Sequence, residues 1–210
     1  MASQYDRTTD NDKPTAGFGP ILMKRSIVID ADSLDPLGAS PEERIPAMTP
    51  MAPVSGGKYK PIRRTLADAA CTTSEKVVGV TETTMFAVGD VVEVVALADP
   101  TAAGAAMGTI ASIVAGVSIT LVANSTTAVA SGDIVEVAEN AEADDAVILL
   151  SDVDLRDVNG DAVDTGAAGV IAGQVHKAAL NYCTAAGIAL DRLESEELAG
   201  IDFVPATAGA

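Results

Sequence analysis

A chain of 210 residues with 13 basic and 30 acidic side chains carries a net charge of −17 and repels nucleic acid and anionic lipid, so neither is an expected partner. Hydrophobic residues make up 48% of it, yet there is no Trp and only three Tyr and three Phe. The interior must therefore be built from Val, Ile, Leu and Ala, which bury less area than aromatic rings at roughly 25 cal/mol per Å², and burial in an oligomer is the expected supplement.

The charge is unevenly spread. Residues 1–76 carry ten basic and ten acidic side chains, whereas 77–210 carry three basic (Arg156, Lys177, Arg192) and twenty acidic. That division suits a charge-balanced docking arm joined to an acidic, outward-facing body. The opening MASQYDRTTDNDK is polar and lacks the apolar core of a signal peptide, and no run approaches the length of a membrane span. Synthesis in the cytosol, with Cys71 and Cys183 reduced and no membrane partner, is the expectation. Residues 1 to about 20 are too polar to offset their ordering entropy and are expected to be disordered when free. Ile27–Ile29 reads as a short strand. The following stretch holds Pro36, Pro41, Pro46, Pro50 and Pro53, which exclude a helix interior or a central strand. Residues 1–54 are thus expected to form an extended, Pro-rich N-terminal arm.

Ser55-Gly56-Gly57 is a turn feeding the strand Lys58–Ile62. Further on, Val88-Gly-Asp-Val-Val-Glu-Val94 recurs 43 residues later as Ser131-Gly-Asp-Ile-Val-Glu-Val137. Each copy is a Gly-Asp turn entering a strand that alternates faces. Between the copies, Gly108–Ile113 and Val117–Leu121 alternate around Ala115-Gly116, the pattern of a hairpin. Residues 77–139 are accordingly expected to form a small all-β barrel or sandwich, inserted into a β-rich core formed by 55–76 and 140–210.

Within that core, Ala146–Leu150 is an apolar strand that breaks into Ser151-Asp-Val-Asp154, an Asp/Asn/Gly loop follows, and Val170–Val175 is a second strand. Near the end, Asp191-Arg-Leu-Glu194 has capping-box spacing, so one short C-terminal helix is expected over 191–199, with Gly200 as its stop and Ile201–Val204 as a closing strand.

Chemistry-bearing motifs are sparse. His176 is the single histidine and reads as structural. No Gly-x-Ser-x-Gly elbow is present, and Cys71 and Cys183 fit no metal spacing and read as inert thiols. Gly56-Gly57-Lys58 fails as a phosphate loop, because Ala52 and Tyr59 occupy the positions that need Gly and Ser or Thr. Asp152, Asp154, Asp157, Asn159, Asp161 and Asp164 are the densest oxygen cluster, but an EF-hand frame from Asp157 puts Ala162 where Gly is required. A solvated acidic turn is the better reading. No catalytic residue, metal or cofactor is expected, and the protein is read as non-enzymatic.

The Gly57-x-Tyr59-x-Pro61 element, followed after a long interruption by the apolar strand, Asp152-Val-Asp154, Gly173-x-Val175 and Ala178-Ala-Leu180, resembles the head decoration proteins of lambda-type tailed phages. The likeness covers Gly56–Ile62 and Ala146–Val204. It implies a mainly β, β-tulip or barrel-like core, a homotrimer, the major capsid protein as partner, and a location on the outer surface of a virion. On that resemblance Phe18, Ile21, Leu22, Lys24, Arg25, Lys58, Tyr59, Arg63 and Arg64 would contact the capsid. Val147, Leu149, Val170, Val175 and Leu180 would form the core of the oligomer near its axis. The alternative is a β-rich adhesin or carbohydrate-binding module with its site in 77–139, where Phe86 is the only aromatic.

Overall fold

The computed structural model describes residues 18–31, 44–54, 56–83, 86–100, 102–138, 145–176, 180, 198 and 200–204. The protein is mainly β. Its strands are β1 (Phe18–Ile29), β2 (Arg44–Ile45), β3 (Pro50–Val54), β4 (Lys58–Pro61), β5 (Arg64–Leu66), β6 (Val77–Gly79), β7 (Val91–Val95), β8 (Ala105–Val114), β9 (Ser118–Leu121), β10 (Ile134–Val137), β11 (Val147–Leu149), β12 (Val153–Asp154), β13 (Thr165–His176) and β14 (Ile201–Val204). The C-terminal helix and Cys183 lie outside the described residues.

The first sheet has the order β1-β4-β3-β11-β13-β14, and β1 also pairs with β13, so five strands close into a ring. One core cluster draws on all of these strands: Ile27 and Ile29 of β1, Met51 of β3, Tyr59 of β4, and Val147 and Leu149 of β11, with Ala167 and Ile171 of β13 packed against it. A second cluster covers the opposite face, where Ile148, Val170 and Val175 meet Leu180, Leu198, Ile201 and Phe203. Because both faces of β11 are covered, its sequence is a continuous apolar run with no polar alternation.

Residues 18–31 and 44–54, expected within an extended arm, are instead part of this ring. β1 is twelve residues long and pairs with β13 from Phe18↔Val175 to Ile29↔Thr165. Thus Ile27–Ile29, legible as a strand, is only its last quarter. The prolines do not keep β3 out of the sheet centre. β11 pairs only with Pro50 and Met51, so Pro53 lies past its end, and Pro50 takes part through its carbonyl, which accepts from the Ile62 N–H at 2.9 Å. The Gly56-Gly57 turn joins β3 to β4, with the Gly57 N–H donating to the Val54 carbonyl at 3.2 Å and both glycines left-handed (φ 86° and 75°), a conformation that costs glycine no β-carbon clash.

The second sheet has the order β5-β10-β7-β8-β9-β6. An Ala67↔Val80 bridge and an Asp68 N–H to Gly79 carbonyl bond join β5 to β6 and close it as a second barrel. Its interior is aliphatic apart from Phe86, Cys71 and Met107, with Val92, Val94, Val135 and Val137 among its members. Arg64–Leu66 and Cys71, expected with the first core, pair here with β10 and Val129. The β-rich core of the sequence reading therefore ends near Ile62, fourteen residues before its expected edge at 76.

The 43-residue repeat is a structural duplication. Ile134 pairs with Leu66 and, one repeat earlier, Val91 pairs with Thr109. β7 and β10, the two copies of one strand, pair antiparallel with each other from Ile134↔Val95 to Val137↔Val92. The barrel is thus two three-stranded halves, β5–β7 and β8–β10, each of which lends its last strand to the other around a pseudo-two-fold axis. The Gly-Asp turns match atom for atom. Asp90 accepts from Ala87 N–H and Asp133 from Ala130 N–H, both at 2.7 Å, with Gly89 and Gly132 at φ 100° and 91°.

Candidate interaction surface

The nine side chains expected to face a capsid separate into three groups. Phe18, Tyr59 and Arg64 are buried, Phe18 in the outer cluster of the first ring and Tyr59 inside it. They are core groups and present no surface. Arg25, Lys58 and Arg63 are held within the chain. Arg63 makes a bidentate pair with Asp90 at 2.7 and 3.1 Å, which fixes the first Gly-Asp turn beside the entrance to the second barrel. Arg25 donates to the Tyr59 hydroxyl at 3.1 Å and lies 3.3 Å from Asp145; that hydrogen bond, ahead of the charge of Asp145, raises its pKa. Of the remaining three, Leu22 and Lys24 are exposed and Ile21 is partly buried, with Met23 exposed between them.

The five side chains expected at an oligomer axis are all interior to a single chain. Val147 and Leu149 fill the first ring, and Val170, Val175 and Leu180 lie under β14 and Leu198. A side chain already covered by its own fold has no apolar area left to offer a second copy.

Arg64 is sealed against Glu136: its Nε donates to Oε2, with 2% and 0% of the two side chains accessible. Glu136 also stands opposite Glu93 on β7. By the duplication, Glu93 is the counterpart of Glu136, and Met107 is the counterpart of Arg64. One copy of the repeat thus pairs its glutamate with Arg64; in the other, Glu93 packs beside Gly104, where a β-carbon would collide with the carboxylate.

The acidic loop is a folded turn. Asp157 Oδ1 accepts from the N–H groups of Asn159 at 2.8 Å and Asp161 at 2.9 Å, and these bonds, Asp161 first, hold its carboxyl below the usual range. Asp152 accepts from Ala47 N–H at 2.8 Å. Asp164 takes Lys58 Nζ at 2.8 Å and Ala31 N–H at 3.0 Å, while Lys58 also reaches Asp30 at 3.5 Å. This junction ties the end of β1 to β4 and to the start of β13. Among the described residues no group of three His, Cys, Asp or Glu side chains is placed to hold a metal ion. Cys71 is buried, and burial, with Glu75 adding to it, pushes its thiol pKa up, away from a reactive thiolate.

The Lys58 bond lowers the Asp164 pKa from its ordinary 3.8, and the Ala31 bond adds to the shift. A carboxyl depressed in the folded state contributes its stabilisation fully above the unfolded value and loses it as pH falls through the folded one. Melting temperature is therefore expected to drop on acidification from about pH 5 to about pH 2. Lys58→Met should flatten that slope, whereas Lys76→Met, which removes an ammonium bonded to the neutral Val122 carbonyl, should leave it unchanged. Equal slopes in thermal melts of the two variants would refute the role given to Lys58.

The surface that the sequence reading missed lies on the second barrel, where Val114 of β8, Val117 of the β8–β9 turn and Val122 just after β9 are exposed and Thr109 and Thr120 are half-buried. Its signal is present in the chain: residues 100–132 contain no Asp, Glu, Lys, Arg or His. No protein-family model, curated protein or solved structure matches the chain.

Proposed function

We propose that this chain is a non-enzymatic decoration protein of a virus shell, which binds the outer surface of the expanded head and braces contacts between major capsid subunits. The observation that carries the reading is how the resembling segments assemble. Gly56–Ile62 and Ala146–Val204 stand far apart in the chain, yet β4, β11, β13 and β14 are strands of one sheet. The second barrel departs from the chain after Ile62 and returns to it before Asp145. It is a self-contained addition to a base, suited to projecting from a lattice. A protein of this kind acts through many weak contacts repeated over the shell, and avidity supplies the strength without any catalytic group. The base offers Leu22, Met23 and Lys24 on β1, next to the N-terminal segment, as the described part of the shell contact.

The geometry makes the test direct. Pro61 and Val147 both pair with Met51, on its two sides. Two strand spacings separate them, about 10 Å, which about four linker residues span. Residues 63–144 replaced by a four-residue Gly/Ser linker should leave a folded base. Both this short chain and the full chain should co-pellet with expanded shells assembled from the major capsid protein of the same virus. Leu22→Asp with Lys24→Glu should abolish pelleting without change in circular dichroism. A full chain that stays in the supernatant at all shell concentrations ends the proposal.

A further inference from the structure

The charge-free stretch 100–132 is unusual in a chain of net charge −17. It supplies β8, β9 and the turn between them. Inward side chains such as Ile110, Ile119 and Leu121 fill the second barrel. Outward, Val91 pairs with Thr109, whose carbonyl accepts from Val122 N–H, so these three stand abreast across β7, β8 and the residue that follows β9. One step along, Val77 of β6 pairs with Thr120, and Val114 and Val117 flank the β8–β9 turn. Val77, Val91, Val114, Val117 and Val122 are 49–61% exposed, and they are five of the eleven exposed large hydrophobics among the described residues. A contiguous apolar face marks a contact surface, whereas single exposed valines do not. Its rim carries Lys76, whose ammonium donates to the Val122 carbonyl at 3.1 Å, and Glu75 beside it.

The charge distribution selects the occupant. A cationic partner finds no carboxylate on this face and twenty acidic side chains elsewhere in residues 77–210. Two copies of the chain, in contrast, repel wherever carboxylate meets carboxylate, and this face is where they can meet without doing so. Rows of Val and Thr on a twisted sheet are also self-complementary and stack face to face at about 10 Å. The side chains expected to join copies are enclosed within one chain and cannot supply such a contact, whereas this face is open. We propose that the outer face of β8 and β9 is a self-association surface whose partner is the same face of a second copy. The contact is independent of any shell.

Sedimentation velocity of the full chain, without shells, tests this. The mean mass should rise with protein concentration, and association should tighten from 0.1 to 1 M NaCl as repulsion is screened from a Debye length of about 10 Å to about 3 Å. Val117→Asp with Val122→Asp should weaken association at least about tenfold, because each contact would bury unpaired carboxylates. Val117→Thr with Val122→Thr keeps β-forming shape and covers the case in which the Asp pair misfolds; with unchanged circular dichroism it should weaken association severalfold. An Asp pair that folds and associates as tightly as the parent chain overturns the proposal. So does a parent chain that stays monomeric in 1 M salt, including one that uses this face to bind shells instead.

Discussion

Arg64→Ala is expected to destabilise the second barrel by about 3–5 kcal/mol, the cost of leaving a buried carboxylate without its cation. Glu136 is wholly inaccessible and Arg64 nearly so, so water cannot replace the lost guanidinium. The loss is a large part of what a small domain has in hand, and urea unfolding followed by far-ultraviolet circular dichroism should show an early transition for this barrel. The duplication supplies the counter-experiment. At the position equivalent to Arg64 the other half carries Met107, which is fully buried, so the barrel tolerates an apolar side chain there. Arg64→Met alone should cost nearly as much as Arg64→Ala. Arg64→Met combined with Glu136→Leu should recover most of the loss, since apolar replacement of a whole buried pair is often neutral or stabilising. A single Arg64 variant with the parent midpoint would show that the pair does not hold the barrel.

Gly173→Ala is expected to cost on the order of 3 kcal/mol in the first ring, combining backbone strain with overpacking. Gly173 has φ +147°, and a β-carbon there would lie 2.7 Å from the Pro20 carbonyl oxygen and 3.0 Å from Ile21 Cα. Backbone atoms cannot rotate away, so β1 would have to lift from β13 at the bulged end of their pairing, between Phe18 and Lys24. Gly166 in the same strand is the control. Nothing lies within 4 Å of a β-carbon there and its φ is not positive, so Gly166→Ala should be neutral or slightly stabilising. Thermal melts of the two variants that coincide would refute the close-approach argument. The same lift would expose Phe18, so Gly173→Ala should also weaken shell binding through the adjoining Leu22 and Lys24.

The chain is legible locally and opaque at long range. Its alternation of apolar and polar residues, its Gly-bearing turns and the 43-residue echo identify the strands of the second barrel, the β8–β9 hairpin and the mainly β class, because side-chain period and turn chemistry are properties of neighbouring residues. Which strands pair is decided elsewhere. Phe18–Ser26 reads as part of an extended arm, yet it is strand because β13, far along the chain, offers its whole edge. Pro50 and Pro53 argue against a central strand, and β3 is central only because β11 is too short to need the N–H that Pro53 lacks. Arg64 looks like a surface cation until Glu136, 72 residues on, meets it across β5 and β10. Composition set the charge and the aliphatic interior; tertiary pairing decided which cations are spent internally and which apolar side chains are left facing out, because burial depends on partners that no local pattern names.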